Sequence, residues 1–205
     1  MSVKKIDINQ RIPINTLEAA LASYLVGNYS DEYVIEQLRL EFTGENRLKK
    51  ALAIVNKIIP KNPLHEYIIE HKDMIQSAIR RKDDKNIILI ALLNSAYPFS
   101  FDVLQTFGKY FSVQEIISIN AIKKTISNIY GGNRATENGL YSVIPMFIEA
   151  NFFTRPKSGI YEWHTPLNIS TSITKHIFLE SFKINKSITD IQEYQRMDPY
   201  FTFVE

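Results

Sequence analysis

Residues 112–164 constrain this chain more than any other stretch, reading in order as a helix, a Gly131-Gly132-Asn133 turn, a second helix and a short basic hairpin. That order is the grammar of a winged helix. Ser112 with Glu115 three residues on forms a capping box that opens the first helix, each side chain satisfying a free backbone donor near the other. Ile119, Ile122, Ile126 and Ile129 then recur at helical spacing until Gly131-Gly132, where positive backbone dihedrals carry no steric cost. Asn133 is a good cap for the second helix, and Leu140, Val143, Ile144, Phe147 and Ile148 give that helix one apolar face to bury. The opposite stripe carries Arg134, Asn138, Tyr141 and Ser142. Pro145 interrupts the pattern, removing a backbone donor at about 3 kcal/mol, and predicts either a kink or a helix cut in two. Beyond it, Phe152-Phe153-Thr154-Arg155 and Ile160-Tyr161-Glu162-Trp163 flank Pro156-Lys157-Ser158-Gly159, a β-hairpin with a cationic tip.

In a helix-turn-helix the second helix enters the major groove, and polar side chains on its outer face reach base edges and phosphates. Arg134, Asn138, Tyr141 and Ser142 are residues of suitable type, and Arg155 and Lys157 on the hairpin are placed for the phosphate backbone. Lys123 and Lys124 on the first helix add to the same positive balance, against Glu137 and Glu149. The patch has to be local, because the formal net charge of the 205-residue chain is only +2. Winged helices also serve purely as protein-docking modules, so the fold leaves two functions open.

Hydrophobic residues make up 45% of the chain and charged residues 22%, the balance of an ordinary folded protein with one large or two small domains. The absence of cysteine removes disulfides, thiol catalysis and thiolate metal sites together. The start, from Met1 to Asp7, lacks the apolar core of a signal peptide, and the apolar run from Ile87 to Leu93 is too short to span a bilayer. A cytoplasmic protein with no membrane partner is the expectation.

Upstream of the winged segment the chain reads as a run of helices, giving a mainly α fold in which a multi-helix bundle precedes the winged-helix-like segment and its small hairpin. An N-terminal helical unit (1–62) carries helices opened by Thr16, by Ser30 and near Glu45. Along the third, Arg47, Lys50, Lys57 and Lys61 form a basic stripe, a secondary contact surface that neighbouring Glu41 and Glu45 dilute. Central helices (63–111) follow, with Ile87 to Ala96 apolar almost all round and Ser100 opening a helix rich in phenylalanine. Between them, Asp83-Asp84 beside Lys82 and Lys85 reads as a solvated charge cluster. The C-terminal unit (112–205) ends in Tyr200-Phe201-Thr202-Phe203-Val204, an alternating stretch that predicts a short strand.

Motifs for catalysis are missing. His65 and His71 are six apart, which does not set two ligands on one helical face, and no His-Glu-x-x-His, Gly-x-Ser-x-Gly or phosphate-cradling glycine loop occurs. The expectation is a non-enzymatic protein with no cofactor and no metal.

The helical start with Tyr24-Leu25-Val26-Gly27-Asn28-Tyr29-Ser30-Asp31-Glu32-Tyr33, the basic third helix, the apolar Ile87 to Ala96 segment and the closing helix and hairpin together resemble the BrxA family of the BREX phage-exclusion systems. The resemblance covers most of the chain and lies in helix order and spacing. It implies a small, mostly helical, non-catalytic protein associated with double-stranded DNA and encoded beside other defence-system subunits. Against this stands a helical adaptor that docks another subunit through Tyr141, Phe152, Phe153, Trp163 and the Tyr200 to Val204 strand, without binding nucleic acid.

Overall fold

Three amphipathic helices, α1 (Ile14–Leu25), α2 (Asp31–Arg39) and α3 (Glu45–Ile58), open the computed structural model, which describes residues 5–205. Residues 1–4, part of the start read for leader character, lie outside the described residues. Ser30 caps α2 as its sequence predicts, accepting from the Tyr33 amide at 3.1 Å. Thr16 is buried inside α1 and is not its cap. Pro13 precedes the helix instead, its fixed φ suiting entry.

Two short helices, α4 (His65–Glu70) and α5 (Lys72–Ala78), lead to α6 (Lys82–Ala96). Every residue from Ile87 to Ala96 is buried, as a helix apolar on all sides requires. Its main partner is α10 (Ser172–Lys186). Asp84 departs from the expected solvated cluster: it is fully buried and accepts the Ser170 amide at 3.1 Å, just ahead of α10. Asp84 sits at the N-terminal ends of α6 and α10, where the helix dipoles offset part of the cost of burying a carboxylate. No helix is long and apolar enough to cross a membrane among the described residues.

The central helices end with α7 (Pro98–Phe111), and the winged segment follows as β1 (Ile116–Ser118), α8 (Ile119–Tyr130), α9 (Arg134–Glu149), β2 (Thr154–Lys157) and β3 (Ile160–Glu162). The strands form one antiparallel sheet in the order β1-β3-β2. Three readings are corrected here. Ser112 closes α7, with its amide donating to the Gly108 carbonyl, and opens no helix; the cap of α8 is Ser118, which accepts the Asn120 amide. Ser112 and Glu115 have the spacing of a capping box, but Glu115 lies beside the sheet, where its carbonyl accepts the Trp163 amide at 3.2 Å. Ser100 is buried in α7, donating to Asn94 at 2.6 Å, while Pro98 takes the first helical position.

The closing segment also differs from its predicted strand. Residues Pro199–Phe203 wind into a 3-10 turn packed on α7, with Tyr200 and Phe203 fully buried and only Val204 in a bridge to Leu167. Burying Phe203 alone contributes about 1.5–3 kcal/mol. A polar network threads this region: Asn94 donates to the Tyr200 hydroxyl at 3.3 Å, Tyr200 donates to Ser181 at 3.2 Å, and Asn185 donates to the Asn94 carbonyl at 3.0 Å. These buried bonds tie α6, α10 and the tail together, although the Asn185 side-chain oxygen has no partner among the described residues. The hydrophobic core runs without a break from Ile8 to Phe203, and α7 packs against α6 on one side and α8 and α9 on the other.

Candidate nucleic-acid interface

The turn before α9 is set by Gly131, whose φ of 87° ends α8, and by Asn133, which accepts the Thr136 amide at 3.1 Å. Thr136 in turn donates to the Gly131 carbonyl at 2.6 Å, so the turn is bonded on both sides. One face of α9 is buried through Leu140, Val143, Ile144, Met146 and Phe147. Gly139 lets that face come close to α7, because a Cβ there would meet the Phe99 ring at 2.7 Å. Arg134, Asn138 and Tyr141 form an exposed stripe along the N-terminal half, with Tyr141 64% exposed.

Ser142 does not belong to that stripe. It is 3% exposed and its hydroxyl donates to the Asn138 carbonyl at 2.7 Å, a back-bond inside the helix. Pro145 does not cut the helix: α9 runs unbroken for 16 residues, and the donor that proline lacks is the one the Tyr141 carbonyl would have received.

The hairpin holds its tip at Gly159, with φ of 75°, and the Gly159 carbonyl accepts the Ile119 amide at 2.8 Å. The wing is thereby docked on the start of α8. Pro156 is tolerated because β2 is the edge of the sheet. Arg155 donates to Ser158 at 3.1 Å, and both line a groove of about 150 Å³ with Tyr141, Lys123 and Tyr161. Lys157 is exposed at the tip, in register with Ile160.

Lys123 bridges α8 and α9, with Nζ 3.4 Å from Glu137 and 3.5 Å from the Tyr141 hydroxyl, and 5.3 Å from the centre of the Tyr141 ring. The bond to Tyr141 and the Glu137 charge hold its ammonium above the ordinary lysine value, so it stays charged but engaged within the protein. Lys124, one position on, is exposed. A second groove of about 470 Å³ joins Lys123 to Arg134, Glu137 and Asn138. Arg134 and Arg155 therefore border one continuous surface, linked by Lys123, Asn138 and Tyr141.

The basic stripe of α3 divides. Arg47 and Lys50 are exposed beside α9, where they share a groove with Asn138. Lys57 is paired with Asp7 and stacks 4.2 Å over Tyr97, and Lys61 falls beyond the end of α3. Asn9, Gln10, Arg11 and Asn46 also approach α9. No local pattern marks these four, since they meet α9 across more than ninety positions of sequence.

Of the side chains that an adaptor would present, Phe152 and Phe153 are 1% and 3% exposed, Trp163 is half-buried, and Tyr200 and Phe203 are in the core. Only Tyr141 stands out from the surface. No family model, curated protein or solved structure matches the chain.

Proposed function

We propose that this chain is a non-catalytic protein that grips duplex DNA through α9 and the β2–β3 wing, serving as an accessory subunit of a phage-defence system of the BREX kind. The observation that carries the reading is the pairing of an exposed Arg134, Asn138 and Tyr141 stripe on an unbroken α9 with a wing that brings Arg155 beside it. In a helix-turn-helix the N-terminal residues of the second helix are the ones that meet base edges. Asn138 matches the donor and acceptor pair of adenine, and Arg134 matches guanine or a phosphate. Arg155 and Lys157 are suited to the backbone. The defence role rests on the resemblance of the helix order, and the DNA reading does not depend on it.

With a net charge of +2, affinity must come from a handful of phosphates. Each neutralised phosphate contributes about 0.9 to the slope of log affinity against log salt, so Arg134, Arg155 and Lys157 account for about −2.7 of it. Fluorescence anisotropy with a labelled random duplex across a salt series tests this, with Arg155→Glu/Lys157→Glu alongside. Linear weakening with salt, and a flatter, weaker variant, are expected. Absence of binding at low salt, or a variant indistinguishable from wild type, contradicts the reading.

A further inference from the structure

We propose that the N-terminal unit supplies a second lip to this interface, in which Arg47 and Lys50 at the start of α3 hold the backbone strand on the side of α9 away from the wing. The inference rests on the duplex reading above. A helix seated in the major groove has a phosphate strand on each side, about 12 Å apart, so an interface with one basic edge leaves the other strand unaccompanied. Asn138 and Tyr141 also face Gln10, Arg11 and Arg47 across an open groove of about 310 Å³, which none of the wing residues lines. The groove continues as about 400 Å³ between Asn138 and Asn46, Arg47 and Lys50.

The charges around it sort clearly. Arg11 is bound to Glu149 and lies 3.8 Å from Glu41, while Arg39 takes Glu45 at 3.2 Å. Arg47 and Lys50 remain, both exposed, and among the described residues no carboxylate lines either groove. The Arg47 guanidinium is steadied 5.0 Å above the Phe42 ring, and its carbonyl accepts from Gln10 at 3.4 Å. The amides of Asn9, Gln10 and Asn46 complete a lining that can bond phosphate and sugar oxygens without adding charge.

Glu149 at the end of α9 anchors the N-terminal segment to that helix. It receives the Arg11 guanidinium on one oxygen and the Ile14 amide, at 3.0 Å, on the other. The segment that carries Gln10 is thereby tied to the same helix that carries Asn138, and Gln10 in turn donates to the Arg47 carbonyl at the start of α3. The remaining cations of α3 take no part, since Lys49 lines neither groove and Lys57 is engaged with Asp7 and Tyr97.

The test is the same anisotropy salt series with Arg47→Glu/Lys50→Glu, against a charge-matched control, Lys49→Glu/Lys72→Glu, at exposed positions outside the grooves. Circular dichroism melts confirm that both variants stay folded. The lip variant is expected to lose about tenfold or more in affinity relative to the control and to flatten the salt slope by about 1.8, two phosphate contacts' worth. A lip variant that matches the control while the wing variant still loses binding overturns this inference and leaves the winged reading standing. A wild-type protein that binds no duplex overturns both.

Discussion

Gly108 lies where α7 meets the closing 3-10 turn, and a Cβ there would stand 1.9 Å from the Pro199 carbonyl oxygen. Backbone cannot yield as a flexible side chain can, so Gly108→Ala is expected to lower unfolding free energy by about 1–3 kcal/mol in urea titration. Gly132→Ala, whose Cβ meets nothing nearer than Ser127 at 3.9 Å, is expected to be tolerated in the same titration. On the exposed stripe, Asn138→Ala removes no bond that the side chain makes among the described residues and replaces it with a better helix former. Stability is expected to hold, while the spread of affinities across a panel of duplex sequences narrows, each specific pair being worth about 1–3 kcal/mol. An unchanged spread would mean that Asn138 reads no base. These positions were legible to different degrees. Arg134, Asn138 and Tyr141 span about 60° on a helix of 3.6 residues per turn, whereas Ser142 lies about 80° round from Arg134 and about 100° from Tyr141 and turns inward. Periodicity contains that distinction. It does not contain the fate of Lys123, whose partners Glu137 and Tyr141 belong to the next helix.

At the level of elements, α9 depends on its cap. Asn133→Ala leaves the Thr136 amide without its acceptor and is expected to cost about 0.5–2 kcal/mol, read from the urea midpoint, with weaker DNA binding as the first turn and Arg134 lose their fixed positions. The long helices were legible because their apolar spacing is satisfied locally: α2, α3, α6 and α9 lie where sequence puts them. Short elements were not. β1 has three residues, with Ile117 buried opposite Tyr161, and it exists because β3 supplies its hydrogen bonds. Local spacing instead favoured a capping box at Ser112. The tail misleads for a related reason: alternation from Tyr200 to Val204 suits a strand, but Pro199 fixes φ and Asp198 accepts the Tyr200 amide at 2.9 Å, which starts a turn. Gln105 and Lys186 then hold Asp198 at 2.7 and 3.2 Å, contacts invisible to any local reading.

For the whole molecule, the unbroken core predicts one cooperative unfolding transition, with tryptophan fluorescence at Trp163 and far-ultraviolet dichroism coinciding. Two separated transitions would show that the N-terminal and winged parts unfold independently. The buried tyrosines give this stability a pH limit. Burial raises the ionisation of Tyr29, Tyr97, Tyr130 and Tyr200 above the ordinary value of 10.0, and Asp102 adds to the effect at Tyr130, whose hydroxyl it accepts at 2.7 Å. Above about pH 10 the unfolded chain releases these protons while the folded one retains them, so unfolding free energy falls as pH rises past that point and is unaffected by these groups below it. Urea titrations from neutral pH upward are expected to show that onset. The central claim is the proposed DNA-binding surface of α9 and the wing, and amide chemical-shift mapping with a short random duplex at low salt tests it most directly. Perturbations are predicted at 134–141 on α9 and at 154–159 on the wing, extending to 46–50 on α3. Perturbations confined to α4, α5 and α10, or none at all, would contradict the account.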